Sequence, residues 1–452
     1  MGRLFGTDGI RGEANRFPMD AETAYKLGQA VTHVMARNKP EGHRIRIVIG
    51  KDTRISGYML ESALEAGVTS MGGDVEMVGV LPTPGIAYIT ESMRADAGFV
   101  VSASHNPYQD NGIKVFAGTG FKLSDEAEQE IEDLILGNGL QDMLPAPADM
   151  GRANQLVDAV GRYTVFLKNT FPRELSMEGF KVVLDTGNGA TYEVGPAIFR
   201  ELGADVTVIH DEPNGFNIND NCGSQHTQDL RAKVIETGAN VGLAFDGDGD
   251  RLIAVDELGN EITGDQILVI CANQLKAEGR LSNDLLVSTV MSNLGLTVAC
   301  EQFGYKHFAS KVGDRYVLED MRRLGATLGG EDSGHVIFLN HHTTGDGELT
   351  ALQLVATMLR TGKPLSELAK AMDVYPQVLV NIDVASKPGL DTVPEITEAI
   401  EQAETELAGK GRVLVRYSGT QNMCRVMVEG PTEDVTRIHA ERIADVVRTA
   451  LT

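Results

Sequence analysis

Residues 97–114 read AGFVVSASHNPYQDNGIK. The apolar run 97–101 feeds a turn-rich polar stretch, the pattern of a strand that ends in a sharp loop. Pro107 fixes its own φ and disfavours helix at Asn106, so the loop has no helix to relax into. A serine at the end of a buried strand is held still and exposed, which is the setting a nucleophile wants. A serine in an Asn/Pro/Gly-rich loop is also an ordinary cap or turn residue. Period two in extended chain places Ser102 and Ser104 on one side, and spacing does not choose between them. It also turns the side chain of His105 away from Ser104. No G-x-S-x-G frames Ser104, which excludes the hydrolase elbow.

The plan of strand into loop recurs on both sides of this stretch. Upstream, residues 20–37 carry Leu27, Val31, Val34 and Met35 at helical spacing, and 44–50 (RIRIVIG) reads as a strand. Ser56 stands as the cap of a helix with Leu60 and Leu64 four apart, and 75–80 is a further strand. Downstream, 180–184 runs into DTGNG, 239–245 into DGDGD, 285–290 into MSNLG and 325–330 into EDSGH. Alternating strands and helices predict α/β domains with mainly parallel or mixed sheets, whose loops at the strand ends carry the ligands. The tail, from 377 onward, reads strand, helix, strand, strand, helix and predicts a small α+β domain. The expected division is 1–152, 153–256, 257–371 and 372–452, with a linker at 145–148 (PAPA). About three or four domains also suit a chain of 452 residues, too long for one core.

A net charge of −24 argues against a nucleic-acid partner, whose phosphates would be repelled. Mean hydropathy is −0.11 and no apolar run approaches the length of a membrane span, so no membrane role is expected. The first residues, MGRLFGTDGIRG, carry no apolar signal core, and Gly6 stands where a myristoylation pattern needs Ser or Thr. Cytoplasm is the expected location. Cys222, Cys271, Cys300 and Cys424 form no C-x-x-C pair, which leaves a thiolate metal site unsupported.

Asp246, Asp248 and Asp250 alternate with glycines, and three carboxylates at i, i+2 and i+4 converge on one hard cation through oxygen. An EF-hand would need glycine where Arg251 stands, and helices where apolar runs flank the loop. A solvated acidic turn is disfavoured because Phe245 and Leu252 bury both ends. Residues 416–420 (RYSGT) offer a guanidinium, two hydroxyls and backbone N–H groups to an anion, with Arg425 as a second fork. On the residues alone this is equally an ordinary hairpin loop. Residues 5–12 (FGTDGIRG) form another glycine loop ending in a cation, and Lys51, Arg54 and Lys114 are spare cations near strand ends. Neither a P-loop nor G-x-G-x-x-G occurs, so nucleotide binding has no support. A nucleophilic serine, an aspartate metal loop, local cations and an anion cradle together point to phosphoryl transfer.

Taken together, FGTDGIRG (5–12), SASHNP with NGIK (102–114), DGDGDR (246–251), GGEDSGH (329–335) and RYSGT (416–420) resemble the α-D-phosphohexomutase family, in family order across the whole chain. The resemblance implies three similar α/β domains and a C-terminal α+β domain around a central cleft. It implies phosphorylation of Ser104 as the covalent phosphoryl carrier, and one Mg²⁺ held by Asp246, Asp248, Asp250 and Ser104. It places Arg11, His105, Lys114 and Arg251 around the transferring phosphate, with Lys114 as general acid/base. Glu331 and Ser333 would meet sugar hydroxyls. Arg416, Ser418, Gly419, Thr420 and Arg425 would hold the phosphate that is not being transferred. The implied enzyme is an isomerase that interconverts glucosamine 6-phosphate and glucosamine 1-phosphate through a sugar 1,6-bisphosphate, on the way to UDP-N-acetylglucosamine and cell-wall precursors. Its implied partner is the phosphorylated hexosamine alone, in a monomer or homodimer. The FGTDGIRG start (5–12) and residues 311–315 (KVGDR) favour the amino sugar over glucose or mannose phosphates by the same resemblance. A metal-dependent sugar phosphohydrolase and a non-catalytic sugar-phosphate sensor are the competing classes. Where the family usually reads Glu after the Thr420 position, this chain has Gln421, so a carboxylate at the cradle's rim is missing.

Overall fold

The computed structural model describes residues 4–6, 8–37, 39–40, 42–137, 139–418 and 422–451. The chain falls into two compact units, residues 1–290 with 308–370, and residues 291–307 with 371–452. Among the described residues no helix is long and apolar enough to cross a membrane.

In the first unit the opening sheet contains β1 (Ile10–Glu13), β2 (Arg46–Lys51), β3 (Asp74–Val80), β4 (Ala97–Val101), β5 (Asp110–Ala117) and β6 (Ala153–Gln155). Their order in space is β1-β5-β4-β2-β3-β6. The inner pairs β4–β2, β2–β3 and β3–β6 are parallel, while β5 runs antiparallel to both β4 and β1. The sheet is therefore mixed. Because β6 joins its edge, the sheet runs past residue 152. Ile47, Ile49, Phe99 and Val101 are fully buried beneath helices Ala21–Ala36 and Gly57–Ser70. These helices cross very closely. A Cβ on Gly67 would lie 2.1 Å from the Tyr25 carbonyl oxygen, and one on Gly28 would lie 2.6 Å from that of Leu64. Asp20 caps the first of them by accepting the Thr23 N–H at 2.8 Å. Ser56 makes no such bond to the second, and its Oγ instead accepts the Asn111 side-chain amide at 2.8 Å.

The second sheet is built from β7 (Lys181–Asp185), β8 (Asp205–Ile209), β9 (Val241–Phe245), β10 (Leu252–Asp256) and β11 (Glu261–Ile262), in the order β11-β10-β9-β7-β8. Here β7 pairs in parallel with β8 and β9, and β10 turns back antiparallel on β9. The third sheet joins β12 (Leu285–Thr289), β13 (Lys306–Ser310), β14 (Leu328–Gly330) and β15 (Val336–Phe338) in the order β13-β12-β14-β15. In both sheets the central strands are apolar on both faces, as helix-covered strands must be.

The second unit has β16 (Gln377–Asp383), β17 (Arg412–Tyr417) and β18 (Met423–Glu429) in the antiparallel order β16-β18-β17. Helices Pro394–Leu407 and Glu433–Leu451 pack with it around Ile396, Val426, Val428, Ile443 and Val447, all fully buried. Residues 291–307 dock here through polar bonds. Asn293 caps helix Leu294–Phe303 and also accepts the Tyr375 N–H at 3.0 Å. The Arg412 guanidinium reaches the Ser292 carbonyl at 2.7 Å and the buried Glu429 carboxylate at 2.9 Å.

Candidate active site

β4 delivers Ser102 and Ser104 into the first unit's interior, where they part company. Ser102 Oγ donates to Asp52 Oδ2 at 2.6 Å and accepts the Ser104 N–H at 2.9 Å, so it is spent inside its own domain. Ser104 has φ +54°, a left-handed backbone that breaks the period of two. Its Oγ turns to the second sheet's loop and donates to Asp246 Oδ2 at 2.6 Å. The same turn brings His105 Nδ1 to 3.3 Å from that oxygen, contrary to the expectation from extended chain. Nor is Ser104 exposed: only 1% of its surface is accessible, because the Asp246–Asp250 loop covers it.

That loop lies between β9 and β10, and its glycines permit the approach. A Cβ on Gly247 would meet the Ser104 carbonyl oxygen at 2.6 Å, and one on Gly249 would meet Thr191 Cγ2 at the same distance. Asp246, Asp248 and Asp250 are buried, with one carboxylate oxygen from each lying within 4.8 Å of the others. Asp248 Oδ2 accepts from Thr83 Oγ1 at 2.6 Å and from Lys114 Nζ at 3.0 Å, and Asp250 Oδ2 accepts from Lys114 at 3.2 Å. Asp248 Oδ1 and Asp250 Oδ1 have no hydrogen-bond partner among the described residues. Burial, then the charges of Asp250 and Asp248, pushes the Asp246 carboxyl well above the usual carboxylate range. Asp248 Oδ1, without a hydrogen-bond partner among the described residues, and three converging carboxylates whose burial and repulsion raise Asp246 fit a hard divalent cation ligated by these residues. Asp250 Oδ1 also faces His335 Nδ1 at 3.6 Å.

Cations surround the loop. Burial alone would lower Lys114, but the carboxylates of Asp248, Asp8 and Asp250 outweigh it and hold the ammonium well above its ordinary value. Asp8 pairs with Arg11, with Lys114 at 3.3 Å and with Lys122 at 2.5 Å, and Lys122 goes on to Asp314 at 2.6 Å. Burial, then the charges of Arg251 and Arg11, drops His105 to about 4, so its ring is neutral at pH 7. Arg251 Nε lies 3.7 Å from Asp250 Oδ1. The loop between β14 and β15 closes beside it: Gly334 N–H and C=O face Glu331 and Leu252, and a Cβ on Gly334 would meet the Leu252 oxygen at 2.2 Å. Glu331 Oε1 accepts the Gly313 N–H at 2.9 Å, while Ser333 Oγ is buried without a hydrogen-bond partner among the described residues.

The comparisons with known proteins place this geometry. The chain matches phosphoglucomutase/phosphomannomutase alpha/beta/alpha domain I over residues 2–141, domain II over 161–259, domain III over 263–375 and the C-terminal domain over 379–446. The chain belongs to the phosphoglucomutase/phosphomannomutase family. It is 69% identical over 451 residues to the phosphoglucosamine mutase of Syntrophobacter fumaroxidans, covering 100% of both chains. It is 61% identical over 451 residues to that of Syntrophus aciditrophicus, again over 100% of both. Among solved structures it resembles a Burkholderia thailandensis family member, with TM-score 0.80 and 24% identity over 100% of this chain and 98% of that one. It also shares the fold of Aspergillus fumigatus N-acetylphosphoglucosamine mutase, solved with GlcNAc-6P and magnesium (TM-score 0.67, 17% identity, 100% and 96% covered). These likenesses establish the phosphohexomutase fold of three α/β/α domains and a C-terminal domain.

In this family member the second unit carries a separate basic site. Arg416 on β17 stands directly opposite Arg425 on β18, and like charges so placed repel unless an anion lies between them. Burial, then the Arg425 charge, lowers the Arg416 guanidinium. Arg425 Nε is buried without a hydrogen-bond partner among the described residues. Ser418 is buried, its N–H bonded to the Met423 carbonyl at 2.8 Å and its carbonyl to Lys387 at 2.9 Å. Gly419, Thr420 and Gln421 lie outside the described residues.

Other residues depart from the sequence reading. Lys51 is committed to Glu61, and Arg54 is fully buried, forking onto the carbonyls of the Ser104 loop, so neither is a spare cation. Arg11 and Lys114 lie on β1 and β5 and not in loops. The sequence reading does not single out Asp8, Thr83, Lys122 or Asp314 as site residues, although FGTDGIRG contains Asp8 and KVGDR contains Asp314. A second cluster, Asp185, His210 and Cys222, has its ligand atoms within 4.8 Å of one another. Asp185 already accepts the N–H groups of Gly187 and Gly223 and pairs with His210, so it ties loops together.

Proposed function

We propose that this chain interconverts glucosamine 6-phosphate and glucosamine 1-phosphate, with Ser104 as phosphoryl carrier and a sugar 1,6-bisphosphate as intermediate. The observation that carries the reading is the meeting of Ser104 Oγ with the three-aspartate loop, Lys114 alongside, inside a chain of this family. In the forward step the bond from phosphorus to Ser104 Oγ breaks and one to a sugar hydroxyl oxygen forms. Lys114, held as the ammonium, is assigned the proton relay: it gives a proton to the departing Oγ and takes up the one the sugar hydroxyl loses. The second transfer reverses these changes at the other end of the sugar. Arg11, Arg251 and the neutral His105 orient the moving phosphoryl group. Asp246, Asp248, Asp250 and the Ser104 oxygen would hold one Mg²⁺, which neutralises charge developing on the phosphoryl oxygens.

Glu331 and Ser333 are assigned to sugar hydroxyls, with Ser333 Oγ a buried group that has no hydrogen-bond partner among the described residues. Arg416, Ser418, Gly419, Thr420 and Arg425 are assigned to the phosphate at rest, which lets either end of the sugar present its hydroxyl. With buried cysteines and an anionic metabolite as substrate, the reading places the enzyme in the cytoplasm, as monomer or homodimer. The test compares turnover of glucosamine 6-phosphate with that of glucose 1-phosphate and mannose 1-phosphate, alongside the intact mass of the purified protein. Preference for the amino sugar and one added phosphate, absent in Ser104→Ala, are expected. Steady release of inorganic phosphate from the sugar would favour a phosphohydrolase and defeat the mutase reading.

A further inference from the structure

Ser104 Oγ has one strong bond in this structure, to Asp246, and it is the donor. Once that oxygen carries a phosphoryl group it has no proton to donate, so this bond cannot hold the side chain through a catalytic cycle. Something else must keep the serine aimed.

The groups that do not involve Oγ are all on the backbone. The Ser104 N–H is taken by Ser102 Oγ at 2.9 Å. The Ser104 carbonyl is taken twice, by Arg54 Nη2 and by Asn219 Nδ2, both at 2.9 Å. Arg54 is 0% exposed and spans the loop, for it also donates to the carbonyls of Asn106 at 2.8 Å, Asp110 at 3.1 Å and Pro107. Asp52, equally buried, ties both sides together: Oδ2 accepts from Arg54 Nε at 2.8 Å and from Ser102 Oγ at 2.6 Å, and Oδ1 accepts the Arg54 N–H at 3.0 Å. A left-handed residue with a side chain is held only where its surroundings over-determine it, and here donors and acceptors grip both of its peptide groups.

We propose that Asp52, Arg54 and Ser102 are positioning residues for phosphoryl transfer, clamping the Ser104 backbone so that Oγ keeps its aim whether or not it is phosphorylated. This rests on Ser104 being the phosphoryl carrier. Four carbonyls in a fixed fan need a planar fork with several N–H groups, which arginine supplies and lysine does not. The bonds of the clamp go to backbone groups and to one another, so its loss is expected to leave substrate binding alone. A misaimed serine would recapture the phosphoryl group slowly, and the bisphosphate would escape before the second transfer.

The test uses the purified full-length enzyme with Mg²⁺, with Ser102→Ala and Arg54→Lys as variants and activity normalised to the folded fraction read by circular dichroism. Each variant is expected to lose roughly ten- to a hundredfold in kcat while KM stays within about twofold. Turnover should come to depend on added sugar 1,6-bisphosphate, a requirement that a merely destabilised protein would not acquire. A kcat within twofold of the parent in folded Ser102→Ala or Arg54→Lys, or no new demand for bisphosphate, overturns the clamp. The parent enzyme is the control: phosphate absent from Ser104 there defeats the carrier reading itself, whereas phosphate present beside a fully active Ser102→Ala defeats the clamp alone.

Discussion

The hydroxyl of Ser104 donates to the carboxylate of Asp246 at 2.6 Å, joining residues 142 positions apart in sequence. Both side chains are buried, and each is delivered by a loop at the end of a fully buried strand. On the proposed reading, removing the oxygen removes the phosphoryl carrier and leaves the neighbouring cations in place. Ser104→Ala is expected to cut turnover by on the order of a thousandfold or more, because it deletes the oxygen proposed to carry the phosphoryl group. Sugar-phosphate affinity, measured by calorimetry, should stay within a few fold. Turnover near the parent rate in this variant would sink the assignment.

Metal dependence is expected from the proposed ligation by Asp246, Asp248 and Asp250, whose ligand atoms lie within 4.8 Å of one another. Chelation should abolish turnover and Mg²⁺ should restore it. Asp248→Asn keeps size but removes one anionic ligand, so metal affinity by calorimetry should weaken by at least roughly tenfold. Unchanged affinity would mean that the ion, if bound at all, sits elsewhere.

The facing pair Arg416 and Arg425 is expected to act on binding and not on chemistry. Arg416→Ala should raise KM by roughly ten- to a hundredfold, the loss of a charge-assisted contact worth about 1.5–3 kcal/mol. Its kcat should be nearly unchanged. Because truncation also relieves repulsion between the two guanidiniums, the free Arg416→Ala protein should melt no lower than the parent. A fall in kcat with KM unchanged would place Arg416 in the transferring step.

Much of this was readable in advance, and the exceptions share a cause. The DGDGD loop could be assigned from five consecutive residues because ligand spacing and glycine freedom are local properties. The strand at residues 97–101 was likewise legible, since burial on both faces writes an unbroken apolar run. The choice of Ser104 over Ser102 was not, because it depends on a left-handed backbone that tertiary bonds from Arg54 and Asn219 impose. Asp8, Lys122 and Asp314 meet across 114 and 192 residues, and nothing local to any of them announces the others. β1 and β5 were hidden inside glycine-rich motifs, where pairing partner and not composition makes the strand.

A last prediction concerns pH, at a helix cap packed behind the aspartate loop, where the Gly347 N–H donates to the Gly249 carbonyl at 2.9 Å. Asp346 caps helix Gly347–Thr361, its Oδ1 accepting the Leu349 N–H at 2.8 Å and its Oδ2 accepting from Tyr163 Oη at 2.7 Å. Glu348, fully buried, shares the Tyr163 hydroxyl at 3.3 Å, and its Oε1 has no hydrogen-bond partner among the described residues. Burial pushes Asp346 up to about 7 from 3.8, and pushes Glu348 up as well, with the Asp346 charge adding to it. The folded protein thus keeps a proton on Asp346 to about pH 7 that the unfolded chain releases near pH 4. Between those values the native state binds more protons, so stability falls as pH rises through the window. Asp346→Asn preserves a good capping oxygen and cannot ionise. Relative to the parent it should be more stable at pH 8 than at pH 5, the advantage growing by about 2 kcal/mol. Urea unfolding at the two pH values measures this directly, and a parent-to-variant difference that is the same at both would show that Asp346 is already ionised in the folded protein.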